Sequence, residues 1–176
     1  MKQGIKKIVV IGPESTGKST LSQSLAASLG TQWVPEYARA YLTELNRPYT
    51  EADLSNIAKG QLAAEDDLLN KSSRHLICDT DLYVLKVWSE HSYGRCDRWI
   101  LEQIAIRKYD FYLFTDIDFE WVDDPLREHP GPWRQYFFHV YHDIVQQSGV
   151  PFMLISGNPE QRLQKALQCM DILNKQ

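Results

Sequence analysis

The residues best suited to chemistry lie near the start of the chain, in Gly12–Ser19, which reads GPESTGKS. This segment matches the phosphate-binding pattern G-x-x-x-x-G-K-[ST] at each fixed position. Its glycines let successive backbone N–H groups point inward, where they form an anion cradle with the N-terminus of the following helix. We predict a nucleoside triphosphate site in which Lys18 reaches the β- and γ-phosphates and the Ser19 hydroxyl ligates Mg²⁺. The predicted nucleotide-binding residues are Gly12, Glu14, Ser15, Thr16, Gly17, Lys18, Ser19 and Thr20.

Carboxylates follow two later apolar segments. Asp79 comes directly after His75–Cys78, and in a parallel sheet that position faces the phosphates, where a carboxylate can hold Mg²⁺ directly or through water. We therefore predict Ser19 and Asp79 as metal ligands. Asp81 can share this task, although the segment Asp79–Asp81 can also simply cap the next helix. Glu36 follows another apolar segment and can hydrogen-bond an acceptor hydroxyl and take its proton.

Three arginines are candidates for binding phosphate charge. Arg39 lies one helical turn after Glu36 and can pair with it or with a substrate phosphate. Arg127 and Arg134 belong to the polar, proline-rich segment 119–134, which is typical of a mobile lid. They are seven residues apart, so both face the phosphates if that segment is helical. The alternatives are a surface ion pair and a solvated charged face. The predicted catalytic residues are Lys18, Glu36, Arg127 and Arg134.

Short apolar segments alternate with longer helical patterns along the chain. Strands are predicted at Ile8–Ile11, Gln32–Pro35, His75–Cys78, Phe111–Thr115 and Val150–Ile155. Helices are predicted at Thr16–Leu29, from Thr50 to about Leu69, and from Asn158-Pro159 onward. Continuous apolar strands separated by helices predict a parallel sheet covered on both faces. The expected fold is α/β: a three-layer αβα P-loop sandwich with a five-stranded parallel sheet and a lid at about 119–134.

Composition limits the class of protein. A length of 176 residues with 43 % hydrophobic residues fits one domain, 1–176, and excludes a disordered chain. A net charge of −4 argues against a nucleic-acid partner. Cys78, Cys96 and Cys169 have no C-x-x-C spacing, and free thiols suit a cytoplasmic protein. Because no apolar run approaches the ~20 residues needed to span a bilayer, no membrane partner is expected.

The class of P-loop protein follows from further motifs. A guanine switch needs N-K-x-D and D-x-x-G, whereas the sequence has no N-K-x-D and Asp79–Leu82 lacks the glycine. Motor ATPases usually need a larger module. A small kinase needs only a metal carboxylate, a group that handles the acceptor hydroxyl, and cations for the transition state. A kinase for a nucleoside or small alcohol is therefore expected, and a nucleotide-dependent binding module remains the alternative.

Four motifs in the same order resemble the kinase domain of the bifunctional NadR proteins. They are Gly12–Ser19, Glu36–Arg39, Asp79–Asp81, and Glu120–Asp124 with Leu126-Arg127. The resemblance runs roughly from Ile8 to Leu173. It implies a nucleoside-kinase fold that uses ATP and Mg²⁺ to convert nicotinamide riboside into nicotinamide mononucleotide. NadR proteins also carry a nucleotidyltransferase domain with an H-x-G-H-type motif, which this sequence lacks, so adenylyltransferase activity is not expected.

The implied small-molecule nucleoside carries a pyridinium cation, which favours aromatic rings. Rings that can meet it are Tyr37, Trp88, Tyr93 and Trp121. The residues expected to contact the substrate are Glu36, Tyr37, Arg39, Asp81 and Trp121. Each aromatic residue can instead belong to the core.

Overall fold

The computed structural model describes residues 4–174. Five strands form one parallel sheet in the order β2-β3-β1-β4-β5. They are β1 (Lys6–Ile11), β2 (Gln32–Val34), β3 (His75–Asp79), β4 (Phe111–Thr115) and β5 (Phe152–Ile155). This confirms the expected sheet. Strand β2 stops before Pro35 and β5 starts after Pro151, because proline cannot donate a ladder hydrogen bond.

Helices cover both faces of the sheet and complete the αβα sandwich. They are α1 (Lys18–Leu29), α2 (Tyr37–Glu44), α3 (Glu51–Lys71), α4 (Leu82–Tyr93), α5 (Arg98–Ile106), α6 (Pro132–Gln147) and α7 (Pro159–Leu173). Side chains of β1 alternate between the faces: Ile8 and Val10 pack with α1 and α7, whereas Val9 and Ile11 pack with α4 and α6. All four are fully buried, and each such side chain stabilises the fold by roughly 1.5–3 kcal/mol.

The central position of β1 places the phosphate-binding segment in the middle of the sheet edge. Val10 pairs with Asp79 and Ile11 pairs with Phe114, so the ends of β3 and β4 flank the loop that follows β1. Helix α1 begins at Lys18 rather than Thr16 because Gly17 has a positive φ of 76°, which is incompatible with a right-handed helix. This register brings the segments that follow β1, β3 and β4 to one crevice.

The predicted lid is not a helix. Residues 116–131 form no helix or strand, and α6 starts only at Pro132. Pro125 and Pro130 lack N–H donors and disfavour helical backbone in the residues before them. Arg127 therefore lies in irregular chain and Arg134 in the first turn of α6, so the two arginines do not share one helical face.

Within residues 4–174, no helix combines the length and the apolar character that crossing a membrane requires. The cysteines form no disulfide: Cys78 and Cys169 are buried and Cys96 is half-buried, each as a free thiol.

A buried carboxylate, Asp53, joins the start of α3 to the preceding chain. It pairs with both guanidinium nitrogens of Arg47 at 2.7 and 2.8 Å and accepts the Tyr41 hydroxyl at 2.7 Å. It also accepts the backbone N–H of Thr50 at 2.7 Å. The Arg47 guanidinium, followed by the Tyr41 hydroxyl, holds the pKa of Asp53 far below its ordinary value.

Replacing Asp53 with Asn should lower the melting temperature at pH 7, because the donors around it lose a charged acceptor. A folded-state pKa below the unfolded value means that this stability is present above about pH 4 and is lost as the pH falls. The difference in melting temperature between the wild type and Asp53→Asn should therefore be smaller at pH 3 than at pH 7. Asp171→Asn, at an exposed position on α7, is the control. An equal difference at both pH values would contradict this prediction.

Candidate nucleotide and acceptor site

Two glycines of the loop Gly12–Ser19 permit close approach by other segments. Gly12 has a φ of 153°, and a Cβ there would collide with the side chain of Thr115 at the end of β4. Gly17 has a φ of 76°, and a Cβ there would lie 2.6 Å from the Phe119 ring. Both positions therefore need glycine for backbone and for space.

Arginines hold the carbonyl groups of this loop on one side. Arg134 donates to the carbonyl of Ser15 at 2.8 Å, and Arg162 donates to the carbonyl of Thr16 at 2.6 Å. In a trans peptide the N–H points opposite to the C=O. Tying these carbonyls therefore directs the N–H groups of Thr16 and Gly17 to the other side, as phosphate binding requires.

Lys18 folds back onto its own loop. Its ammonium donates to the carbonyl of Pro13 at 2.7 Å, and the Thr16 hydroxyl donates to the same oxygen at 2.8 Å. The Thr16 hydroxyl also lies 2.7 Å from that of Thr115. The loop is thus braced by its own side chains, and Lys18 can exchange the carbonyl for a phosphate oxygen.

Sequence reasoning missed Arg162, which is 1 % exposed on α7. It also donates to the carbonyl of Gly157 at 2.8 Å, pairs with Asp118, and stacks over the Phe119 ring at 4.0 Å. The signal was available, because Arg162 is an arginine at a helical-core position of the last helix. The other buried residues of that face are Ala166, Cys169, Met170 and Leu173.

Asp79 is suited to holding a cation. It is 1 % exposed, and neither carboxylate oxygen has a hydrogen-bond partner among the described residues. Burial, together with the charge of Glu36, raises its pKa to about 6, while the Ser19 hydroxyl and the Lys18 ammonium act in the opposite direction. Mg²⁺ prefers oxygen ligands and typically takes only one or two from the protein, with phosphate and water completing its shell. The orphaned oxygens of Asp79 beside Ser19 fit that ion.

Asp81 does not join Asp79. Thr80 between them has a φ of 70°, unusual for a β-branched residue, and this turn sends the two aspartates to different places. The Asp81 carboxylate accepts the N–H of Tyr83 at 2.9 Å and the hydroxyl of Tyr112 at 2.7 Å. The structure thus places Asp81 as the N-cap of α4, which is the capping alternative.

One pocket of about 210 Å³ joins the phosphate loop to the helices α2, α4 and α6. It brings together most of the predicted site: all eight nucleotide-binding residues, Glu36, Arg39, Arg127 and Arg134. Arg39 pairs with Asp124 of the lid at 2.9 Å rather than with Glu36. Arg134 spans the carbonyls of Ser15 and Phe119, and burial lowers its pKa.

Three predicted substrate residues lie outside the lining of this pocket: Asp81, Tyr37 and Trp121. The Tyr37 ring packs on Gly60 of α3, where a Cβ would collide with it. The Trp121 indole donates to Asp123 at 2.8 Å. Tyr93, a further candidate ring, is also outside the lining.

Trp88 lines the pocket, and its wall includes aromatic residues that the sequence did not single out. The Trp88 indole N–H donates to the Tyr49 hydroxyl at 3.0 Å, and the rings meet edge to face at 4.9 Å. Phe137 and Tyr141 of α6 line the pocket as well, and together with Trp88 they form its aromatic side, here called the Trp88 wall. The Tyr49 hydroxyl also donates to the Glu128 carboxylate at 3.1 Å, which joins this wall to the lid.

Comparisons with known proteins agree with this geometry. A sequence-family profile described as "AAA domain" matches residues 7–162. The chain is 22 % identical over 178 residues to the trifunctional NAD biosynthesis/regulator protein NadR of Escherichia coli K12, covering 97 % of this chain and 42 % of that protein. It therefore spans about two fifths of that curated relative.

Two crystal structures share the fold. A NadR protein in complex with NR superimposes with a TM-score of 0.73 at 22 % identity, covering 95 % of this chain and 49 % of the other. Thymidylate kinase from Ehrlichia chaffeensis superimposes with a TM-score of 0.65 at 15 % identity, and the match covers 96 % of this chain and 100 % of the kinase chain. The expected resemblance to NadR and the nucleoside-kinase-like fold are thus confirmed.

Replacing Asp79 with Asn should raise the melting temperature of the ligand-free protein at pH 8. The reason is that a buried carboxylate without hydrogen bonds costs free energy that an uncharged amide reduces. The same change should remove most of the further stabilisation that Mg²⁺–ATP gives the wild type, as measured by thermal shift. ATP with a chelator serves as the control. Equal stabilisation of both proteins by Mg²⁺–ATP would show that Asp79 does not hold the metal.

Proposed function

The chain belongs to the family described as the AAA domain, and on that premise we propose that it is an ATP- and Mg²⁺-dependent kinase of a small nucleoside, nicotinamide riboside above others. One observation carries the proposal: the phosphate loop opens into a pocket that continues past Glu36 to the Trp88 wall. A switch or a simple ATPase needs room only for its nucleotide. A pocket whose lining adds a carboxylate and aromatic rings to the phosphate loop suits an acceptor.

The triphosphate end of the pocket is cationic. The loop N–H groups bind phosphate oxygens, and Lys18 moves from the Pro13 carbonyl to the β- and γ-phosphates. Mg²⁺ held at Ser19 and Asp79 supplies charge neutralisation when bound. Arg127 lines the same crevice from the lid side, where a guanidinium stabilises charge on the transferring phosphoryl group. Arg134 braces the loop that presents these groups.

Glu36 is placed to handle the acceptor hydroxyl. It lines the pocket at the N-cap of α2, and no side-chain cap bond engages its carboxylate. Its negative charge contributes to the raised pKa of Asp79. With Asp79 occupied by the metal, Glu36 orients the hydroxyl of the acceptor towards the γ-phosphate and accepts its proton.

The acceptor end of the pocket suits a cationic ring. Trp88, Phe137 and Tyr141 supply aromatic faces, and the carboxylates of Glu36 and Glu128 line the same pocket. A pyridinium cation stacked on such a ring gains up to ~2 kcal/mol when desolvated. The solved NadR relative in complex with NR supports this assignment. The shared fold with a thymidylate kinase supports a kinase for another nucleoside as the second candidate.

The test is direct. Purified protein is incubated with Mg²⁺–ATP and one nucleoside at a time, including nicotinamide riboside. The phosphorylated products are identified by mass spectrometry. We expect nicotinamide mononucleotide in stoichiometric step with ADP, and no product from a Lys18→Ala variant that keeps the wild-type circular dichroism. Phosphorylation of a different nucleoside would favour the second candidate. ATP binding without any phosphorylated nucleoside would contradict both.

Replacing Trp88 with Leu should raise the KM for nicotinamide riboside about tenfold, since a cation–π contact is worth ~1–2 kcal/mol at a desolvated site. The KM for a neutral nucleoside that the enzyme also accepts should rise less, because that nucleoside has no cation to stack on the indole. Steady-state kinetics with both acceptors provide the comparison, and Trp88→Phe should recover part of the affinity. Equal losses for both acceptors would remove Trp88 from cation recognition.

A further inference from the structure

Glu14 is an unusual residue for its position. It lies inside the phosphate-binding loop, where a negative charge opposes the binding of a triphosphate. Its side chain is 31 % exposed, so it is not needed as a buried structural group. The hydrogen bonds of this carboxylate therefore indicate its role.

The contacts of Glu14 lie in the lid. Its Oε2 atom accepts the backbone N–H of His129 at 2.9 Å and that of Glu128 at 3.1 Å. Two successive N–H groups therefore converge on one carboxylate oxygen. Hydrogen bonds to a charged acceptor are roughly twice as strong as neutral ones.

The neighbouring loop residue holds the lid at a second point. Ser15 has a positive φ of 56°, and its hydroxyl accepts the N–H of Val122 at 3.0 Å. Lid residues between these points are tied to one another: the Arg127 N–H donates to the carbonyl of Asp124 at 3.0 Å, and the Arg127 guanidinium donates to the carbonyl of Val122. Segment 122–129 is thus a compact unit fastened to the phosphate loop at both ends.

We propose that Glu14 is a positioning residue that latches the lid to the phosphate loop and so holds Arg127 in the crevice during phosphoryl transfer. The proposal rests on the kinase function above. Arg127 directly precedes Glu128, one of the two residues whose N–H groups Glu14 holds. The backbone of the loop stays free for the phosphates, because Glu14 and Ser15 reach the lid with their side chains.

The latch has a chemical consequence. A fastened lid keeps water from the γ-phosphate while the acceptor hydroxyl attacks it. Release of the lid withdraws Arg127 and admits water. The rate of phosphoryl transfer therefore falls, and the share of ATP that is hydrolysed without transfer rises. Glu14 thereby affects the kcat of transfer and its coupling.

A purely electrostatic role makes a different prediction. If the charge of Glu14 only weakened nucleotide binding, Gln and Ala at this position would act alike, and both would lower the KM for ATP. The latch instead predicts that Gln and Ala at this position differ. A Gln carbonyl oxygen still accepts both N–H groups, although without charge, whereas Ala accepts neither. The expected order of transfer is wild type, then Glu14→Gln, then Glu14→Ala.

Amide hydrogen exchange tests the latch without any substrate. In ligand-free Glu14→Ala, the amides of Glu128 and His129 should exchange about tenfold faster than in the wild type, given the typical worth of hydrogen bonds to charged groups. Glu14→Gln should be intermediate. The control Glu160→Gln removes an exposed charge on α7, and in this variant the amides of Glu128 and His129 should exchange at the wild-type rate. Unchanged exchange in Glu14→Ala overturns the proposal.

Kinetics then test the consequence. With the acceptor that the wild type phosphorylates, Glu14→Ala should lose about tenfold in kcat and hydrolyse more ATP per transfer, whatever the loss of its charge does to the KM for ATP. A lower KM for ATP at unchanged kcat and coupling overturns the latch. Because exchange needs no acceptor, failure of the latch and failure of the kinase assignment give different results.

Discussion

The orientation of the peptide groups in Gly12–Ser19 is the constraint on which the rest of the site depends. An anion cradle needs N–H groups on one side of the chain, and planarity then forces the carbonyls to the other. Those carbonyls would repel one another and lack donors unless something satisfied them. Arg134 and Arg162 meet that need from two different helices. The sheet, α6 and α7 therefore act together to present a short stretch of backbone.

The sequence predicts the parts of this arrangement that depend on local chemistry. The boundaries of β4 and the end of α1 at Gly30 follow from apolar runs and a left-handed glycine. The crevice residues Lys18, Glu36 and Arg39 follow from their place after strands, because carboxyl ends of parallel strands meet at one edge. These statements use only spacing and residue type, which is why a single sequence supports them.

The remaining parts depend on contacts between residues far apart in the chain. The Trp88 wall requires Tyr49 from an irregular loop, and the lid meets Glu14 across 115 positions. Asp81 illustrates the same limit over a short distance. Its type and place suited the phosphates, yet the left-handed backbone of Thr80 turned it to Tyr112, and no pattern in the sequence signals that angle.

Arg162 also bears on how the site comes into existence during synthesis. The phosphate loop leaves the ribosome before the donor that holds its Thr16 carbonyl, which lies 146 positions later. A nascent chain that already contains β1, β3 and β4 thus has the loop sequence without one of its braces. The peptide group between Thr16 and Gly17 therefore reaches its full complement of hydrogen bonds only after α7 has docked on the sheet. Folding order and the geometry of the phosphate loop are in this way coupled through a single side chain.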